Sequence, residues 1–425
     1  MTTPRVLLLE AAGPESGALA ATAVAAGYQV HAATDPETHA TYATDLQALL
    51  SGRLLTDFSR TEQALRDVID YAHRHGIGAV LTSNEYLTEL LAHVCAALGL
   101  PGNDPARAAA ARSKVAMSEA FARHGVTAPR SRAVGTEDEL LALCSARQIT
   151  FPCVMKPAAG ASSAGVTVVT SPAEATAAFR AAKVPRGMYG MDPDPRVLVQ
   201  EFIEGTEYSV ESITQDGTST HLCVTRKTVT GGAHRVELGH ALPAVLSPVA
   251  EQTVLKEVDL AIAAVGIRNG ASHTEVMLTP NGQCTVIEIG ARIGAGQIGF
   301  LIQHALGIDP WAACLDTALG RPAHLAPTRS GYATVRFLTS PHPGRLATVT
   351  GLPDPSPRVP IVRARKVVGQ TVNGATDNTA RLGSFVVVGP NQQSVDLYAE
   401  QLLDQIRIDV EPGDWPGSHS TTTET

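Results

Sequence analysis

The chain has 425 residues, 44% of them hydrophobic, 17% charged and 4% aromatic, with a formal net charge of -8. That length predicts two to four domains, and the composition is that of a folded globular chain and excludes a disordered one. A negative balance with few aromatic rings also excludes a nucleic-acid binder, which needs a basic stripe or stacking platforms.

Residues 6–9 read as a buried strand, Gly13 and Gly17 punctuate a turn, and residues 18–26 read as a helix. A strand over 28–32, a helix over 62–75 and a strand over 77–81 follow. This alternation predicts a Rossmann-like parallel-sheet domain over 1–104. The Gly13–Gly17 turn lacks the G-x-G-x-x-G spacing and reads as structural, with at most a small-molecule contact at the strand ends. From Pro105 the chain predicts one long Ala-rich helix carrying Arg107, Arg112 and Lys114, then a short strand, a helix and a central strand over 153–156. A Gly-, Pro- and Met-rich connector, 186–195, closes this second unit, 105–195. A strand over 196–200 opens a third unit, 196–325, in which strands alternate with two helices. The last unit, 326–411, holds strand-like runs over 333–338 and 384–388 and a closing helix over 394–406. The polar tail, 412–425, reads as disordered. The fold class is α/β, α+β overall.

Six dispersed cysteines form no Cys-x-x-Cys pair and read as free thiols in a reducing compartment. The N-terminal apolar run is too short for a signal segment, and no stretch approaches bilayer-spanning length. A cytoplasmic protein without a membrane partner is expected.

Chemistry concentrates in three places. Glu275 and Glu288 each sit in an apolar run, and Asn281-Gly282 between the runs is a strong hairpin signal. Two adjacent strands then each present a carboxylate, hard oxygen donors of the kind Mg²⁺ takes, with Arg292 four positions beyond the second. Lys156 ends an apolar strand and precedes a small-residue loop, 157–166, containing Ser162 and Ser163. Such a loop can wrap phosphate oxygens while the lysine neutralises charge, although the loop alone reads equally as a flexible hairpin. The segment Gln200, Glu201, Phe202, Ile203 turns at Gly205 into a strand carrying Glu207 and Glu211. Its backbone can meet an adenine edge and Glu207 a ribose; taken alone, it is a strand–turn–strand with exposed acids.

Taken in order, Lys114, Lys156 with its loop, the 200–203 hinge, Glu207 and the Glu275/Glu288/Arg292 set resemble the ATP-grasp superfamily of carboxylate–amine ligases. The resemblance covers residues 105–320. Within the superfamily the chain is most similar to the L-amino-acid ligase group, which makes dipeptides and related amides. Three stretches carry this: Val236-Glu237-Leu238-Gly239-His240 with Pro243, residues 270–275, and residues 288–296; residues 334–338 with Pro343-Gly344 look like that group's C-terminal part.

The resemblance implies an ATP-grasp fold behind a Rossmann-like domain, with a C-terminal α+β subdomain. It implies an ATP-dependent ligase that forms a peptide or amide bond through an acyl phosphate, releasing ADP and phosphate, with Mg²⁺ (Mn²⁺ as the alternative ion) as cofactor. Lys114 and Lys156 would bind the α- and β-phosphates, and Ser162 and Ser163 would close over the γ-phosphate. Glu275 and Glu288 would hold the metal, and Arg292 would stabilise the transferring group. Gly294 and Gly296 would offer N–H groups to a substrate carboxylate or oxyanion, and their smallness leaves room for a bulky first substrate. One departure is Gly290, where many relatives place an Asn metal ligand. His240 could touch the amine or the acyl phosphate, or be a packed histidine. Glu211 could orient a substrate amine or be a plain acid. His273 suits a structural hydrogen bond as readily as chemistry, and Lys227 either reaches phosphate or is a surface cation. The resembling group commonly dimerises, so small-molecule substrates and a homodimer are the expected partners. The rivals are another ATP-grasp type, such as a carboxylase-like or purine-pathway ligase, and a non-catalytic nucleotide-binding regulator.

Overall fold

A computed structural model describes residues 4–183, 187–340 and 342–412. The tail expected to be disordered lies outside the described residues beyond its first position, and so does the first residue of the 186–195 connector.

Four parallel strands form the N-terminal sheet, in the order Leu50–Leu55, Gln29–Thr34, Arg5–Leu9, Ile77–Leu81. Alternate residues of Arg5–Leu9 serve opposite faces, as strand geometry requires. Val6 and Leu8 pack towards helix Pro14–Ala25, whereas Leu7 and Leu9 join the core built with helices Thr61–His75 and Thr88–Leu98. Covering both faces suits a parallel sheet. Strand Leu50–Leu55 was not anticipated, because it lies at the edge and alternates half-buried with exposed positions instead of forming an apolar run.

The long helix expected after Pro105 is broken. A 3-10 turn, Ala108–Ala111, is followed by a separate helix, Lys114–His124. Ser113 makes the break: its backbone is extended and its Oγ accepts from the Ala116 N–H at 3.4 Å, a side-chain N-cap. Lys114 is therefore the first residue of a helix and is buried.

A four-stranded antiparallel sheet follows, in the order Ser131–Val134, Val197–Glu201, Cys153–Pro157, Thr167–Val169, packed on helices Glu137–Ser145 and Pro172–Ala181. The connector leading into Val197–Glu201 reaches back to the N-terminal domain. There Tyr189 packs edge-on against Phe58, and Asn84 Nδ2 donates to its hydroxyl at 2.5 Å.

The largest sheet has eight strands, in the order Cys284–Gly290, Gly270–Leu278, Thr206–Gln215, Thr218–Val229, Glu237–Leu242, Tyr332–Thr339, Arg381–Gly389, Ile361–Ala364. Gly282 takes the left-handed conformation (φ +83°) that the Asn281-Gly282 turn needs, and Glu275 lies directly opposite Glu288. The sheet runs without interruption across the boundary expected at 325, because Ala241 pairs with Thr334 and Val335 with Val386. Three helices accompany it between 196 and 325, one more than expected: Pro248–Ala264, Ile298–Leu306 and Pro310–Ala318. Among the described residues no single helix is long and apolar enough to cross a membrane.

Candidate active site

A cavity of about 1200 Å³ opens between these parts. Lys156, Gln200 and the hinge at 201–203 form part of its wall, the Asn84–Glu85 turn of the N-terminal domain another, and Arg363 and Ser384 a third. Glu288 belongs to one edge strand of the large sheet and Arg363 to the other, so the cavity crosses the sheet's full width.

Two ammonium groups organise its acids. Lys227, in strand Thr218–Val229, is 2% exposed in its side chain and meets Glu275 at 2.5 Å, Glu237 at 2.7 Å and Glu207 at 3.0 Å. Burial alone would raise the carboxyls of Glu237 and Glu275, yet Lys227 holds both well below the usual range. For Glu207 burial wins, and its carboxyl is pushed up. Lys114 makes the second hub, donating to Glu288 at 2.7 Å and to the Gly160 carbonyl at 2.9 Å. Lys156 differs. It is 4% exposed and makes no hydrogen bond or ion pair among the described residues, so burial lowers its pKa against the attraction of Glu288. A buried cation facing a cavity without its anion fits a polyphosphate, and opposed carboxylates at Glu275 and Glu288 fit a hard divalent cation.

Arg292 donates to Glu85 through Nη2 at 2.5 Å and Nε at 3.1 Å, and to the Ile293 carbonyl at 3.0 Å. Glu85 is a residue that sequence reasoning missed. It sits in a short polar turn of another domain, some 200 positions away, and carries no local signal. Around Gly290, the position without the Asn ligand, the nearest neighbour of an added Cβ would be the Arg292 side chain, at 3.7 Å.

Most residues singled out from sequence line the cavity: Lys114, Lys156, Ser162, Ser163, Gln200, Glu201, Phe202, Ile203, Glu207, His240, Glu275, Glu288, Arg292 and Gly296. Two do not. Glu211 lies behind His273, whose Nδ1 it meets at 2.8 Å, and it accepts from Ser209 Oγ at 2.7 Å, so its carboxylate is spent inside the protein. Burial would lower the His273 pKa, but Glu211 and Glu275 together raise it to about 9; the imidazolium spans the two acids and is the group that faces the cavity. Gly294 is also set back: a Cβ there would stand 2.7 Å from His273 Nδ1 and 2.8 Å from Glu211 Oε2.

The expectation of room beside Gly296 fails for a related reason. Gly296 has φ +66°, and a Cβ would come within 2.6 Å of His240 and 3.3 Å of Phe337. The glycine is small because His240 fills that space. His240 Nδ1 meets the Gly296 carbonyl at 3.1 Å and its ring stands edge-on to Phe337, while Nε2 has no hydrogen bond and lies 3.5 Å from Glu237. Lys227, left open as a surface cation, is instead the centre of the acidic cluster.

Asn378 was also missed. Its Nδ2 donates to Glu237 Oε2 at 3.0 Å, its Oδ1 accepts from the Glu237 N–H at 2.9 Å, and its own N–H donates to the Ser162 carbonyl at 3.0 Å. It ties the small-residue loop, where Ser162 and Ser163 hold φ of +59° and +55°, to the acidic cluster. Asn378→Ala keeps the backbone link but loses both side-chain anchors. Because those anchors act on ATP only through the loop, the substitution should raise the KM for ATP about three- to tenfold, with little change in melting temperature. An unchanged KM would show that the loop is held by other means.

Residues 149–300 match the family described as ATP-grasp domain, and residues 336–411 match L-amino acid ligase C-terminal domain 2. Alanine--anticapsin ligase of Bacillus subtilis is 28% identical over 284 residues, covering 62% of this chain and 59% of that protein. Dapdiamide A synthase of Enterobacter agglomerans is 32% identical over 250 residues, covering 56% of this chain and 57% of that protein. The chain thus spans less than three fifths of either ligase. Among solved structures, an L-amino acid ligase from Bacillus licheniformis superposes with a TM-score of 0.82 at 20% identity, covering 97% of this chain and 99% of that one. At that identity the likeness establishes the fold.

Proposed function

This chain belongs to the ATP-grasp superfamily and carries the C-terminal domain of L-amino acid ligases; from that premise we propose that it is an ATP-dependent carboxylate–amine ligase joining an amino acid to an amine. The observation that carries the reading is one continuous cavity. It holds the uncompensated Lys156, the opposed Glu275 and Glu288, and Arg292 together with a second set of polar groups from the N- and C-terminal regions. A regulator that only binds nucleotide has no need of that second compartment.

In this reading the hinge at 200–203 takes the adenine and Glu207 the ribose. Lys114 and Lys156 bind phosphate oxygens. Glu275 and Glu288 hold Mg²⁺ or Mn²⁺, which supplies charge neutralisation to the phosphates. Arg292, fixed by Glu85, stabilises the phosphoryl group as the substrate carboxylate takes it and the bond to ADP breaks. The loop bearing Ser162 and Ser163, tied down by Asn378, excludes water from the activated acid. When the amine nitrogen attacks that carbonyl and phosphate leaves, a proton must go from the amine. We assign that proton to His240, whose Nε2 makes no hydrogen bond and lies 3.5 Å from the Glu237 carboxylate. Six free cysteines agree with a cytoplasmic enzyme, and a homodimer is the assembly we expect.

The test is ADP and phosphate release from Mg²⁺-ATP with pooled amino acids, with mass spectrometry of the products. A new amide with one ADP per bond supports the ligase. Tight ATP binding without turnover in any pool supports the non-catalytic regulator.

A further inference from the structure

Of the lysines and arginines that line the cavity, all but two are engaged by the protein itself among the described residues. Lys114, Lys227, Arg292 and Arg381 hold carboxylates, and three others are tied to Asp396 or to backbone carbonyls. The exceptions are Lys156 and Arg363. The triphosphate accounts for Lys156. Nothing in the reaction as written accounts for Arg363.

Arg363 lies on the far edge strand, Ile361–Ala364, directly opposite Ser384. Directly opposed residues on antiparallel strands share a face, so the two side chains stand together on the cavity wall. The Arg363 guanidinium lies 4.7 Å from the centre of the Phe300 ring. Contact with the ring face leaves its in-plane N–H groups available. Glu15, which also lines the cavity, attracts it from beyond ion-pair distance and does not offset the burial that lowers its pKa. Beside it, Gln297 is 5% exposed and spends one amide atom on Ser384 Oγ, leaving Oε1 without a partner. Whichever way that amide is turned, one polar atom on the cavity wall remains unsatisfied. A donor-rich cation and an unsatisfied amide side by side describe a built polar subsite without its ligand.

Resting on the ligase reading, with an amino acid as the amine substrate, we propose that Arg363, with Gln297 and Ser384 beside it, is the group that receives that substrate's free carboxylate. The balance of the reaction supports this division. The activated substrate's carboxylate is consumed: its oxygen takes the γ-phosphoryl group, and that C–O bond breaks when the amine adds. A carboxylate on the amine substrate persists from binding to product, and it needs a cation that neither the protein nor the phosphates have already neutralised. Among the described cavity-lining arginines, Arg235 and Arg365 also keep their charge, but each commits an N–H to a backbone carbonyl. Arg363 has neither a hydrogen bond nor an ion pair among the described residues and shares its wall with the unsatisfied Gln297 amide.

The experiment gives the enzyme an equimolar mixture of an accepted amino acid and its carboxamide as competing amine donors, and reads the product ratio by mass spectrometry. Wild type should favour the free acid by about ten- to a hundredfold, the range of one charge-assisted hydrogen-bonded pair. Arg363→Gln should bring the ratio near unity with the KM for ATP unchanged, and Arg363→Lys should retain part of the preference. A wild type that uses acid and amide equally overturns the proposal while leaving the ligase intact, whatever the variants' folding. So does an Arg363→Gln enzyme that keeps the preference, or one whose altered discrimination concerns the side chain of the activated acid. If neither donor is joined although ATP binds, the ligase reading falls and this inference with it.

Discussion

Arg292→Lys should lower kcat by about 10²–10³-fold and leave the KM for ATP within about threefold of wild type. The guanidinium is held by two donors on one Glu85 oxygen and a third on the Ile293 carbonyl. A lysine keeps the charge but is a single point donor on a flexible stem and cannot satisfy that fork. The pairing also matters in the other direction. Burial would raise the Glu85 carboxyl, and Arg292, with Lys114 and Arg112, holds it below the usual range. A displaced cation would therefore leave a buried carboxylate short of its partner in a wall of the cavity. If the arginine acts on charge that develops during phosphoryl transfer, the loss appears in kcat. Steady-state kinetics with saturating amino acids decides: a rise in KM with kcat intact would mean that Arg292 only binds ground-state nucleotide. Glu85→Gln gives the complementary check. It keeps an acceptor but removes the charge, so its kcat should fall less than that of Arg292→Lys.

How much of this could be read from the chain follows from how local each feature is. The Glu275/Glu288 hairpin was legible from its Asn-Gly turn, but the exact pairing was not. The register from Leu278–Cys284 to Val276–Val286 would set Glu275 against Ile287, and a one-residue bulge brings Glu288 opposite it instead. Lys156 was legible as a cation before a small-residue loop. The break at Ser113 was missed because alanines on either side have high helix propensity, and a side-chain cap outweighs it at one position. Glu211 and Gly294 were misplaced for a subtler reason. Glu211 shares the strand face of the cavity residue Glu207, four positions on, but His273 stands between it and the cavity. Gly294, next to the cavity residue Ala295, is set back against His273 and Glu211. Gly296 was read as empty space when its positive φ and the His240 ring explain it. Glu85, Asn378 and Arg363 had no local signal. They reach the cavity because three separate chain segments meet there, which no pattern of spacing encodes. Lys227 carries the same lesson: a lysine inside an alternating strand looks like a surface cation until three glutamates from three neighbouring strands converge on it.

That convergence sets the largest stability effect expected in the molecule. Lys227→Met should destabilise the protein by about 3–5 kcal/mol, because it removes the cation from a buried cluster and leaves three carboxylates with oxygens within 4.8 Å of one another. For a chain of this size the melting temperature should fall by about 3–6 °C. Its pH dependence distinguishes this from a packing defect. In the wild type Glu237 and Glu275 are held below their unfolded values, so their contribution is fully present above about pH 4.5 and is lost as the pH falls from there through their lower folded values. Without Lys227 mutual repulsion should raise these carboxyls above their unfolded values. The folded variant then binds the extra protons, and lowering the pH from 7 towards 5 should stabilise it and narrow the gap to wild type. A divalent cation offers the second signature: Mg²⁺ or Mn²⁺ placed among the same oxygens would replace the lost charge and should raise the variant's melting temperature more than the wild type's. Thermal melts at pH 5 and 7, with and without metal, test all three expectations together. A variant that melts within about 2 °C of wild type, or whose deficit is indifferent to both pH and metal, would mean that the three glutamates do not depend on Lys227 for their charge balance.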